Sequence, residues 1–107
     1  MSITDTNMID MVGTTSDGVV TLTISDHLDW SEVGEHLLSL QQKINTYIQY
    51  IESGNIYENL PSAKGKPLAI RVYFKYEPKD QVIFSFLNKV SAILEESNII
   101  FQMEHIS

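Results

Sequence analysis

Between Trp30 and Ile51 apolar side chains recur every three or four residues without a break: Trp30, Val33, Leu37, Leu40, Ile44, Tyr47 and Ile51. That spacing is the signature of one face of an α-helix. Leu38 and Ile48 widen the stripe, and the rest of the segment is polar, so the helix covers a surface and is not buried all round. A second stripe runs through Ile83, Phe86, Leu87, Val90, Ile93 and Leu94, opening after Pro78-Lys79-Asp80, where Asp80 can cap. Two one-faced helices need an apolar layer to cover. The segments around them supply it by alternating: Val20, Leu22 and Ile24 against Thr21, Thr23 and Ser25; Leu68, Ile70, Val72, Phe74 and Tyr76 against Ala69, Arg71, Tyr73 and Lys75; Ile99, Phe101 and Met103 against Gln102 and Glu104. A further strand is expected at Met8–Val12, joined to the next by a hairpin turn at Asp17-Gly18.

The order of elements is therefore ββαβαβ. The expected fold is α+β in two layers: a four-stranded sheet, mostly antiparallel or mixed, with both helices packed on one face. The opposite sheet face would carry Thr21, Thr23, Arg71, Tyr73, Lys75, Gln102 and Glu104. A chain of 107 residues with 43% hydrophobic content makes one domain with a core of its own, residues 1–7 being frayed. The first helix has a detailed start. Asp29 is placed to be its N-cap, Glu32 to complete a capping box, and Leu28 with Val33 to staple it. Gly54 is expected to end it. Gly34, one turn in, costs about 1 kcal/mol relative to alanine unless close packing requires it.

Charge is distributed unevenly. The first 42 residues have no lysine or arginine and hold seven acids: Asp5, Asp10, Asp17, Asp26, Asp29, Glu32 and Glu35. The remaining 65 residues carry seven acids and all seven bases, so the net charge of -7 belongs to the N-terminal part. A field of one sign steers partners of the other sign. The same balance argues against nucleic acid, which needs clustered cations. No apolar run approaches the roughly 18 residues that span a bilayer, and Met1–Asp10 lacks the features of a secretory signal. With no cysteine, disulfides and thiolate chemistry are excluded, and a cytoplasmic setting is expected.

The densest polar cluster is Ser25-Asp26-His27-Leu28-Asp29, continuing to Glu32, Glu35 and His36. It falls where a strand hands over to a helix, a common place for sites. Asp26, His27, Asp29, Glu32 and His36 could be read as metal ligands, since imidazole and carboxylate suit several divalent ions. Against that, Asp29 and Glu32 have capping roles, and no ligand motif such as H-E-x-x-H is present. His27 with a neighbouring aspartate would make a general base only with a nucleophile or substrate in reach, and nothing like G-x-S-x-G surrounds Ser25 or Ser31. The five glycines make no phosphate cradle. No cofactor, metal site or catalytic residue is therefore expected. Tyr50, Tyr73 and Phe84 fall off the apolar stripes and are candidates for surface contact.

The runs Ser25-Asp26-His27-Leu28-Asp29-Trp30, Glu35-His36-Leu37-Leu38 through Leu40-Gln41 to Lys43-Ile44-Asn45 and Tyr47, Ile51-Glu52-Ser53-Gly54 and Ala63-Lys64-Gly65-Lys66, with the opening Ile3-Thr4-Asp5-Thr6-Asn7 and Ile9-Asp10, resemble a family of small uncharacterised bacterial proteins. The resemblance implies a bacterial, single-domain, cytoplasmic protein and supplies no mechanism. The leading expectation is a non-catalytic protein-binding domain, inhibitor-like or immunity-like, that meets a basic protein through Asp26, His27, Asp29, Glu32, Glu35 and His36. The alternatives are a self-associating structural domain, as a homodimer, and a small metal-binding or enzymatic domain centred on the Asp26-His27-Asp29 loop.

Overall fold

The computed structural model describes residues 11–105. Its elements follow the expected order: β1 (Met11–Thr14), β2 (Val20–Asp26), α1 (Val33–Glu52), α2 (Asn55–Asn59), β3 (Leu68–Phe74), α3 (Gln81–Glu96) and β4 (Ile99–His105), with a single 3-10 turn at Pro61–Ala63. The expected strand at Met8–Val12 thus begins, within the described residues, at Met11; Met8–Asp10 lie outside them.

The four strands stand side by side in chain order, β1-β2-β3-β4. β1 and β2 pair antiparallel, whereas β2–β3 and β3–β4 are parallel, so the sheet is mixed. The reason lies in the connections. A tight turn can reverse the chain, as Thr15–Val19 does with Thr15 N–H bonded to the Val19 carbonyl at 2.9 Å and Gly18 at φ 86°. A long helix instead carries the chain back over the sheet, and the next strand then runs parallel. Both crossovers step the same way across the sheet, and the usual right-handed crossover then puts both helices on one face. The two helices meet there across a cleft lined by Ile44 and Ile48 of α1 and by Phe86, Val90 and Leu94 of α3.

The core lies between the layers. Val20, Leu22, Ile24, Ile70, Val72 and Phe74 of the sheet pack against Leu40, Ile44, Tyr47, Ile83, Leu87 and Leu94 of the helices, all fully buried or nearly so. Each such side chain contributes about 1.5–3 kcal/mol on leaving water. The alternation is obeyed closely on β2 and β3. On α3 it is less so: Ile93, expected in the core, is 57% exposed, because it lines the open cleft between α3 and α1.

On the opposite sheet face Arg71 lies over Tyr73 and donates to the Tyr73 hydroxyl at 3.0 Å and to Gln102 Oε1 at 2.9 Å. That face is not uniformly open, since Thr21 and Ala69 on it are buried. The end of α1 is as expected: Gly54 adopts φ 84°, which L side chains resist, and its N–H reaches the Ile51 carbonyl. Gly34 is not explained by close packing, as a methyl group there would meet open space.

Candidate functional site

The parallel strands β2, β3 and β4 end level with one another, Asp26 beside Phe74 beside His105. Both long helices begin at this same edge, because each follows the strand it leaves. In sheets of this kind such an edge is where groups from several elements converge.

Asp26 is the last residue of β2 and is 2% exposed. Its Oδ1 accepts the Leu28 N–H at 3.1 Å, and its Oδ2 lies 2.5 Å from His36 Nε2. His36, in the first turn of α1, is equally buried. Its other nitrogen, Nδ1, lies 3.0 Å from the Asp29 carbonyl oxygen. A carbonyl can only accept, so Nδ1 carries a hydrogen. A proton must also lie on the Nε2–Oδ2 contact, since an imidazole lone pair would repel a carboxylate at that distance. The pair is therefore neutral as a unit, with both ring nitrogens engaged. Trp30 stacks on the imidazole, ring centroids 3.7 Å apart and planes 16° from parallel, and its Nε1–H donates to the Tyr76 carbonyl at 2.9 Å. Together these contacts join the end of β2, the start of α1 and the residue two beyond β3.

This knot also moves the helix start. Asp29 does not cap α1. Its Oδ1 accepts from Ser31 N–H at 3.1 Å and from Ser31 Oγ–H at 2.6 Å, closing a local turn. Such short-range bonding competes with helix entry. Trp30, expected on the helical stripe, is instead folded back onto His36, and α1 begins at Val33 with Glu32 at its N-cap position and no side-chain cap. The Ser31 hydroxyl, and then its backbone N–H, hold the Asp29 carboxyl below the usual carboxylate range. The cap expected for the second long helix is present: Asp80 accepts the Val82 N–H at 3.1 Å.

The sequence-derived candidates thus divide. Asp26 and His36 come together but are buried and turned to each other, so they are corrected from surface binding residues to an internal pair. The expected coherent face of all the early acids is reduced accordingly. Asp17 lies in the β1–β2 turn, at the far end of β2, where the Thr15 hydroxyl and then its own backbone N–H hold its carboxyl low. Asp5 and Asp10 lie outside the described residues. Asp29, Glu32 and Glu35 do gather, exposed, around a hollow of about 310 Å³ at the start of α1, and His27 is exposed on the adjoining loop. Among the described residues no lysine or arginine forms an ion pair with those three acids.

Tyr50 is half-buried and its hydroxyl accepts from Asn59 Nδ2 at 2.8 Å, which ties α1 to α2. Tyr73 is half-buried beneath Arg71. Phe84 is 41% exposed on the rim of a cavity with Phe74, Leu87 and Met103. The sequence reading missed Lys43, which is fully buried with its ammonium 5.7 Å from the Tyr47 ring. A signal was present: Lys43 follows Leu40 by three positions and precedes Tyr47 by four, within the helical stripe. No group of three or more His, Cys, Asp or Glu among the described residues is placed to hold a metal ion.

Topology adds acids to the edge that the sequence had counted elsewhere. Glu77 follows β3, Asp80 begins α3 and Glu104 nears the end of β4, so all three share the end of the sheet with Asp29, Glu32 and Glu35; Lys75 and Lys79, from the same β3–α3 connection, are the cations there. Fold and site together define a small two-layer α+β domain with a buried His–Asp pair behind an acidic edge. The chain belongs to DUF6572, a family of unknown function whose model matches residues 1–107. Comparison with curated proteins and with solved structures gave no match. No helix among the described residues is long and apolar enough to cross a membrane.

Proposed function

We propose that this chain is a non-catalytic protein-binding domain of inhibitor or immunity type, whose acidic edge meets a basic surface on another protein. The observation that carries the reading is the exposure of Asp29, Glu32 and Glu35 around one hollow, with no cation of the described residues paired to them. Charges left unneutralised inside a fold are available to a partner, where they raise the association rate and reject surfaces of like sign. The buried pair favours the same reading over a catalytic one. His36 has no free nitrogen with which to take a proton from a substrate or to ligate an ion.

The test is capture of partners on the immobilised chain at low and high salt, alongside a variant with Asp29→Asn, Glu32→Gln and Glu35→Gln. A specific partner should associate more slowly as salt rises, and the triple variant should lose most of that salt dependence. A partner held equally by the variant, with a salt-independent rate, would remove the electrostatic basis of the proposal.

A further inference from the structure

We propose that β4 is a self-pairing edge, and that two copies of the chain join by antiparallel contact of their β4 strands into one eight-stranded sheet. Among the described residues β4 is an outer strand, hydrogen-bonded on one side to β3. Alternate backbone N–H and C=O groups on its other side face outward, ready for another strand. Proteins usually blunt such an edge with lysine, proline, a bulge or a very short strand. Here the strand has seven residues, Ile99–His105, all in continuous register with β3 and without lysine or proline. It also exposes apolar side chains in both directions: Ile100 is 44% exposed on the face away from the helices, and Met103 is 47% exposed on the helix side. A neighbouring strand would cover both at once, whereas a ligand lying on either face would cover one.

The sequence of β4 fits its own reverse. With a two-fold axis at Gln102, residues whose numbers sum to 204 stand opposite each other on the same face. Phe101 then meets the second copy's Met103, Ile100 meets Glu104, and Gln102 meets Gln102, so no like charges are opposed. His105 of one copy lies opposite Ile99 of the other, on the helix side, where Glu95 and Ile99 line a shallow cavity of about 510 Å³. Symmetry makes each of these contacts twice, the central Gln102 pair excepted. The antiparallel arrangement also sends the two acidic edges to opposite ends of the joined sheet, so they do not repel each other across the interface. A parallel pairing would stack them.

The experiment is sedimentation equilibrium of the full chain up to about 1 mM, a range that populates even weak dimers, with three variants. The parent should show a monomer–dimer equilibrium. Ile100→Glu with Met103→Glu should raise the dimer dissociation constant about tenfold or more, because the first sets a like charge opposite the second copy's Glu104 and both are placed twice in the interface. Helix content by circular dichroism should be unchanged, both positions being exposed. Because the chain has no cysteine, Gln102→Cys introduces a single thiol at the axis. It should form a disulfide-linked dimer under mild oxidation much faster than Gln42→Cys, on the exposed side of α1. A parent that stays monomeric throughout, a dimer that the double-glutamate variant leaves intact, or equal cross-linking of the two cysteine variants would each overturn the proposal.

Discussion

His36 shows how much of a residue's role is decided by what surrounds its second nitrogen. The Asp29 carbonyl fixes one proton on the ring, and Asp26 needs the other. Removing either member strands its partner in the core, which costs about 3–5 kcal/mol for a buried pair. Asp26→Ala and His36→Ala should both fall in that range by urea denaturation. Asp26→Asn should cost much less, about 1 kcal/mol by hydrogen-bond exchange: its oxygen can keep the Leu28 N–H, and its amide can donate to a neutral imidazole. Equal losses for Ala and Asn would show that the hydrogen-bond pattern is not what stabilises the site. Thr21 offers the opposite case. It is buried and its hydroxyl has no partner. Thr21→Val should therefore leave stability unchanged or raise it by about 1 kcal/mol, measured in the same denaturation series.

Asp29 adds a pH dependence at the same scale. Its folded carboxyl is held low by Ser31. A carboxyl lowered on folding stabilises the protein above the unfolded value, near 3.9, and that contribution is lost as pH falls through the folded value. The parent should thus melt higher than Asp29→Asn at pH 7, and the gap between their melting temperatures should close on acidification below about pH 4. A gap that stays constant to pH 2 would assign the effect to packing instead.

At the scale of elements, the two glycines at the ends of α1 make a matched test. Gly34 faces open space at helical dihedrals, and Gly54 sits at φ 84°. Gly34→Ala should stabilise by about 0.5 kcal/mol and Gly54→Ala should destabilise by about 1 kcal/mol or more, because only the second forces an L side chain into the left-handed region. Thermal melts of the two variants decide it; a loss of stability at Gly34 would mean that the position has a neighbour when the protein moves. Much of this level was legible in the sequence. Period-two alternation located β2, β3 and β4, the three-four spacing located both long helices, and Gly54 and Asp80 marked true helix ends. The start of α1 was not legible. Asp29 and Glu32 satisfy a capping rule locally, but Trp30 is drawn away by His36 and by the Tyr76 carbonyl, a residue 46 positions later. A local pattern cannot register a competitor that the fold brings from that distance. The same limit explains Asp26. Nothing beside it in sequence distinguishes a buried carboxylate from an exposed one, since its partner His36 is a strand-to-helix connection away.

For the whole molecule, strand order matters more than composition. The charge imbalance of the first 42 residues was visible at once, yet the chain does not present it whole. One carboxylate goes to the interior, one to the far turn, and three to an edge where they are joined by Glu77, Asp80 and Glu104 from the balanced part. The crossovers made this edge, because each helix must begin where its strand ended.

The same ordering governs how the sheet can be assembled during synthesis. Strand order in space is strand order in the chain, so each strand docks on the outer side of the one made before it. No later segment has to be inserted between two that are already paired. The hairpin can close while α1 is still being translated, and β3, then β4, can be added as they leave the ribosome. Among the described residues β4 docks last and leaves its outer side open, so the rim laid down latest is the one proposed to receive a second copy.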